Sequence, residues 1–166
     1  DTDKQRLVKF KKHIEIKPWT KKGDYILVLP PSEHVNLWYD FTNWEKNTIN
    51  KLKKYTQREI RVRNKPRPDN QWWGTDIKDE LKDCHCLVTN MSMTAIDAVM
   101  NMVPVICHTD NIVSPVASHD LKFIEKPLRP GRKTMNEWLK YVAENQFTLE
   151  EISNGTAYRV LQEQNI

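Results

Sequence analysis

Cys84-His85-Cys86-Leu87-Val88-Thr89, running into Asn90-Met91-Ser92-Met93-Thr94-Ala95-Ile96-Asp97-Ala98, decides the fold. The first six residues have strand length and apolar character, and residues 92–101 place Ala95, Ala98 and Val99 on one helical face. A strand that feeds directly into a helix is half of a βαβ unit. Downstream, Pro104-Val105-Ile106-Cys107 reads as the next short strand, with proline at the first position, where a missing donor is tolerated. Upstream, Tyr25-Ile26-Leu27-Val28-Leu29 is apolar throughout, as expected of a parallel strand buried on both faces, and Pro30-Pro31 stops it. Between these runs, residues 44–55 have helical spacing at Ile49 and Leu52, with Thr42 or Asn43 as the cap. Residues 58–63 alternate as a strand, and residues 76–83 form a short helix with Ile77 and Leu81 on one face. The tail predicts helices over residues 134–142 and 148–161.

Strands alternating with helices predict an α/β fold, a doubly wound parallel sheet of Rossmann-like type with helices on both faces. Ligands in such sheets sit outside the carboxyl ends of the strands. The segments that matter are therefore residues 30–34, 63–68, 89–94 and 108–113.

Composition narrows the function classes. The chain has 166 residues, 39% hydrophobic and 29% charged, with 26 Lys+Arg against 22 Asp+Glu for a net charge of +4. Six Trp, five Tyr and four Phe exclude a disordered chain, and no window approaches the about 20 apolar residues of a membrane span. The opening Asp-Thr-Asp-Lys-Gln-Arg lacks a charged and then apolar leader, and three cysteines do not make a disulfide framework. The expectation is a cytoplasmic protein, with residues 1–22 as a linker or interdomain approach, residues 23–166 as one nucleotide-binding domain, and room for a preceding part because no initiator Met is present. In that setting the Asn90-Met-Ser92 and Asn154-Gly-Thr156 triplets are not glycosylation sites. No metal is expected: Cys84 and Cys86 face one side of a regular strand and His85 the other, and zinc wants four convergent ligands.

A mild positive charge is weak support for nucleic-acid binding, although basic residues cluster at Lys9, Lys11, Lys12, Lys17 and Lys21 and again at Arg61, Arg63 and Lys65. More informative is the turn at Ser92-Met93-Thr94. First-turn amides lack intrahelical partners, so a strand-to-helix turn with small hydroxyl side chains suits a phosphate. The competing role for Ser92 is to cap the helix. Asp97, on the following turn, is either a surface charge or an acceptor for ribose hydroxyls. His108, Ser114, Ser118, His119 and Asp120 follow a strand but have no nucleophile-elbow pattern.

The run from Val88 through Asp97-Ala98, then Asn101-Met102-Val103-Pro104-Val105-Ile106, resembles the donor-binding signature in the C-terminal domain of GT-B glycosyltransferases. There a Ser-containing turn precedes a Glu-Ala pair and a Gly-x-Pro-x-Ile strand. Aspartate stands here for the usual Glu and Met102 for the usual Gly, and the Gly-rich turn after the first strand is replaced by Pro30-Pro31-Ser32-Glu33-His34. Related patterns occur in nucleotide-sugar epimerases and CDP-glycerol-dependent polymerases. The order of elements extends the resemblance from about residue 17 to the end, where residues 146–155 are similar to a tail of bacterial and phage sugar transferases.

The resemblance implies a glycosyltransferase donor domain for a nucleoside-diphosphate sugar, foremost a UDP-sugar, with no further cofactor. It implies that Arg63, Lys65, Ser92, Met93 and Thr94 hold the donor phosphates, that Asp97 holds the ribose, and that Trp73 meets the nucleobase. Glu33 and His34 are the catalytic candidates, while Glu125 and Arg132 pair with each other or with the donor's sugar. The partner implied is an N-terminal acceptor domain or second subunit, with nucleic acid only as an acceptor. A CDP-alcohol phosphotransferase, an epimerase-like domain, and a non-catalytic nucleic-acid or partner-binding module stand as alternatives.

Overall fold

The computed structural model describes residues 16–19, 23–65 and 76–164. These fall into a sheet-bearing unit up to Met135 and a helical unit from Asn136. The division lies inside the range read from the sequence as one domain. Trp19, in the stretch read as a linker, donates its indole N–H to the Pro130 carbonyl at 2.7 Å.

Among the described residues the sheet has four strands in the order β2-β1-β3-β4, namely β1 (Tyr25–Leu29), β2 (Glu59–Val62), β3 (Cys84–Thr89) and β4 (Val105–Ile106). Every pairing is parallel, and the fold is α/β with flanking helices. The chain runs outward from β1 to β2 on one side and from β1 to β3 and β4 on the other, so strand order reverses between β1 and β3. β1 and β3 are buried along their full length, β1 as its unbroken apolar run requires and β3 with His85 and Thr89 buried beside its apolar residues. Ile26, Val28, Cys86, Val88 and Ile106 pack with Leu52 and Ile124 in one core cluster.

The helices are α1 (Glu33–Tyr39), α2 (Trp44–Leu52), α3 (Ile77–Leu81), α4 (Thr94–Met100) and α5 (Arg132–Glu144), followed by α6 (Leu149–Ser153) and α7 (Thr156–Gln164). None is long and apolar enough to cross a membrane. Helix α1 has no buried residue and only seven residues, too few for a helical period to repeat, which is why periodicity does not reveal it. It is set by the Ser32 cap and closed by Asp40 in the left-handed region. The helix expected over residues 148–161 divides at Asn154-Gly155, with Gly155 at φ +78°. Its start is fixed by a capping box, with Thr148 Oγ1 accepting from Glu151 N at 3.2 Å and Glu151 Oε2 from Thr148 N at 2.7 Å.

One strand departs from strict alternation. The β1–β3 register shifts between Tyr25 and Ile26, which pair with Cys84 and Cys86, leaving His85 as an inserted residue. The His85 ring reaches the Ile124 carbonyl at 2.8 Å, and Cys86 packs in the cluster that contains Ile124. Cys84 and Cys86 therefore do not share a face against His85, as a regular strand predicts. Burial pushes the Cys84 and Cys107 thiols up to about 12 and Cys86 well above its ordinary value, so all three stay protonated.

Burial lowers the His85 pKa, against the Ile124 hydrogen bond and Glu125, which raise it; Arg58 and Arg129 act with burial. The native imidazole is neutral while the unfolded chain takes up a proton near about 6.5. Its contribution to stability is therefore complete above about 6.5 and is lost as pH falls from there through the lower folded value. Urea midpoints at pH about 8 and about 5.5 should show a decline that is shallower in His85→Gln. Equal declines in both proteins would remove His85 as the cause.

Candidate functional site

A cavity of about 500 Å³ opens at the carboxyl ends of β1, β2 and β3, where strand order reverses. Its size falls in the range of about 300–1,000 Å³ typical of small-molecule sites. Three post-strand segments converge on it. After β1, Pro30, Pro31 and Ser32 form one wall; after β2, Arg63, Asn64 and Lys65 form another; after β3, Met91, Ser92, Met93 and Thr94 close it. Leu29, Val35 and Ile77 supply apolar floor. All five residues assigned to donor phosphates by resemblance thus line one cavity.

Their chemistry differs. Arg63 anchors by its own N–H, which donates to the Val28 carbonyl at 2.9 Å, so the strand end holds the side chain in place. Its guanidinium is paired with the Glu80 carboxylate on α3, and the side chains are only 14% and 25% exposed. Lys65 is exposed and, among the described residues, has no ion-pair partner. Arg63 is thus partly neutralised, and Lys65 is available.

Ser92 lines the cavity one residue before the cap position of α4, which is Met93, and its Oγ accepts from Thr94 N at 3.3 Å. Helix α4 has only seven residues, so its dipole adds little. The turn is held from behind by Asn111, whose Nδ2 donates to the Asn90 carbonyl at 3.2 Å and to the Ser92 carbonyl at 3.3 Å. At the far end of α4, Met102 takes φ 58° and Val103 N donates back to the Ala98 carbonyl at 2.9 Å. Glycine is favoured in that left-handed region, so Met102 closes the helix in a conformation that side chains rarely adopt.

Other candidates lie elsewhere. Asp97 is exposed on α4 and is not among the residues lining this cavity; its carbonyl accepts from Asn101 N and Nδ2. Glu33 and His34 are exposed in the first turn of α1, while Ser32 and Val35 on either side of them reach the cavity. Trp73 lies outside the described residues. Glu125 is at the opposite, amino end of the sheet. There Arg58 reaches it at 3.1–3.2 Å and also donates to the Gly23 carbonyl at 2.6 Å, while Thr56 hydrogen-bonds the same carboxylate. That arrangement ties the starts of β1 and β2 to the segment carrying Glu125 and gives the residue no role at the carboxyl ends. Arg132 is exposed at the start of α5.

Ser114 and His119 do meet, Oγ to Nε2 at 3.3 Å, with His119 Nδ1 3.1 Å from the Cys107 carbonyl. A carbonyl at Nδ1 fixes the proton there, so the serine hydroxyl donates to Nε2. Pro115 follows the serine and has no N–H to offer an oxyanion, and Asp120 is engaged with Lys122 at 3.2 Å. The pair is not a hydrolase triad.

No protein-family model, curated protein or solved structure matches this chain.

Sequence reasoning missed the apolar part of the cavity. Val35 belongs to a helix too short to repeat a helical period, and the sequence places Ile77 only with Leu81 on one face of α3.

Proposed function

We propose that this chain is the donor-binding domain of a glycosyltransferase that uses a nucleoside-diphosphate sugar, on a doubly wound sheet of GT-B type. The observation that carries the reading is the cavity at the strand-order reversal, where Arg63, Lys65, Ser92 and Thr94 converge. A diphosphate is the ligand such a set suits: one exposed ammonium, one guanidinium fork, hydroxyl donors, and no acidic or histidine side chain among the lining residues. Stabilising the departing diphosphate is the chemical work of this half. A base to activate the acceptor then comes from outside the cavity, which fits an acceptor domain or second subunit. Leu37, Trp38 and Tyr39 on α1 are 75%, 86% and 61% exposed, and α1 begins at the cavity wall, so an apolar surface for such a partner lies beside the mouth. Asp97 is outside the cavity lining, so the reading rests on the diphosphate and not on a ribose contact.

The test is a thermal-shift series with UDP, CDP, GDP and UDP-sugars. UDP at a large excess over its Kd should raise the melting temperature by mass action, and Lys65→Ala should weaken binding about tenfold without lowering the Tm of the free protein. A cytidine preference with release of CMP from a CDP-alcohol would move the reading to phosphotransfer. Absence of a shift with every nucleotide, or a shift untouched by Lys65→Ala, would refute it.

A further inference from the structure

The two edges of the sheet differ. Beside β4 the chain returns: Cys107 N donates to the Ser118 carbonyl at 3.0 Å and Ser118 N to the Val105 carbonyl at 2.9 Å, which closes that edge. At the other edge, among the described residues, β2 pairs with β1 alone. Arg63 N bonds the Val28 carbonyl, and in a parallel ladder alternate residues turn their backbone groups to the same neighbour, so Glu59 and Arg61 also face β1. The N–H and C=O groups of Ile60 and Val62 therefore point outward, and no described residue beyond the sheet bonds them. Such an edge is a template for another strand unless Lys, Pro, a bulge or a cover blunts it. β2 contains neither Lys nor Pro, pairs with β1 in unbroken register, and is exposed at three of its four residues.

Its guards are two charges, Glu59 and Arg61, and their order selects what can pair. When two copies of β2 meet antiparallel about a two-fold axis, the outward residues must exchange the hydrogen bonds, so the axis passes through one residue and its flanking residues stand opposite each other. An axis at Glu59 or at Arg61 sets that residue against itself, and one at Val62 sets Arg61 against Arg63. An axis at Ile60 sets Glu59 of each copy against Arg61 of the other, while the Ile60 N–H and C=O bond their own counterparts. Unlike charges directly opposite stabilise paired strands, and like charges destabilise them. The edge thus complements itself in one register, which an unrelated peptide has no reason to do. Glu59 and Arg61 also touch within one chain, at 2.8 and 2.9 Å, but their side chains are 60% and 49% exposed. That contact uses two of the five guanidinium donors, so Arg61 can meet a second carboxylate without giving up the first. Its position over the Tyr25 ring, 3.7 Å from the centroid, fixes the guanidinium beside the strand.

We propose that this edge is a self-association surface: two copies of the chain pair β2 with β2, antiparallel about Ile60, and join their sheets into one. The proposal does not rest on the ligand reading. β2 runs on into Arg63 and Lys65, so the strand of the second copy lies beside that wall of the cavity. The seam is short, so the association is weak and concentration-dependent.

Sedimentation equilibrium of the full chain between about 5 μM and about 500 μM should show the mass rise from one chain towards two. Amide exchange at Ile60 and Val62 should slow over the same range. Arg61→Glu and Glu59→Arg each set like charges across the seam and should each raise the dimer Kd about tenfold or more. An equimolar mixture of the two variants should dimerise again, because each chain then carries two charges of one sign, and a protein with both substitutions should associate like the wild type. Val62→Pro removes an outward N–H and no bond to β1, so it should weaken association while the thermal melt stays cooperative. A single-chain mass at every concentration would overturn the proposal, as would a mixture that associates no better than either reversal alone. So would slow exchange at Ile60 and Val62 in dilute protein, which means that the edge is covered within one chain. A dimer that survives both reversals but is lost in Trp38→Ala would place the second copy on α1 instead.

Discussion

Gly23→Ala should cost about 3 kcal/mol or more, enough to leave much of the population unfolded in a protein of ordinary stability. Gly23 is buried where the chain enters β1, and a Cβ placed there would sit well inside contact distance of backbone atoms of Cys84 and His85. Backbone atoms cannot rotate aside as a side chain can. Relief requires moving the start of β1 away from β3, yet one bond opposes that movement directly: Asp24 N donates to the Asp83 carbonyl at 2.8 Å. The bulge at His85 lies at the same place, so displacement would also disturb the first β1–β3 pairs. Gly131→Ala is the control, because nothing lies within 4 Å of its added Cβ and its change should stay within about 0.5 kcal/mol. Denaturant unfolding followed by circular dichroism compares the two. If Gly23→Ala costs no more than Gly131→Ala, the close approach has no energetic weight.

That glycine marks the boundary of what the sequence discloses. The unbroken apolar run at Tyr25–Leu29 and the shorter one at Cys86–Val88 announce parallel strands, because burial on both faces leaves few positions for polar side chains. The position of the cavity follows from the same pattern, since ligand sites in such sheets lie beyond the strand ends. What local pattern does not carry is the way distant segments fit. The inserted residue in β3 is a consequence of how Gly23 and Tyr25 meet Cys84 and His85, which no window of sequence records. Helix α1 escapes because its seven residues are too few to repeat the period by which helices are read. Arg63 is legible as a cation at a strand end, but its pairing with Glu80 on α3 depends on tertiary placement. Asp97 reads as an acid one turn beyond the phosphate turn, and only its exposure away from the cavity lining separates those two positions.

The Arg63–Glu80 pair gives the second large effect, because its two halves should differ: Arg63→Ala loses stability and ligand affinity together, whereas Glu80→Gln loses stability and gains affinity. Both side chains are mostly buried, so breaking the pair leaves a charge in a poor solvent. Arg63→Ala should cost about 2–3 kcal/mol of stability and also abolish measurable UDP binding, since it removes a cation from the cavity wall. Glu80→Gln should destabilise by about 1–2 kcal/mol, as a neutral amide still accepts one guanidinium hydrogen bond and the Glu80 carbonyl still accepts from the Tyr25 hydroxyl. Yet it frees the guanidinium charge for the cavity, so UDP affinity should rise by about threefold to tenfold, most clearly at low salt. A merely structural pair predicts something different: both variants would lose stability and neither would gain affinity. Isothermal titration with UDP, alongside urea unfolding of each variant, separates the two cases. A Glu80→Gln protein that is destabilised and binds UDP no better than the wild type would place Arg63 in the fold and leave Lys65 as the cation that meets the phosphates.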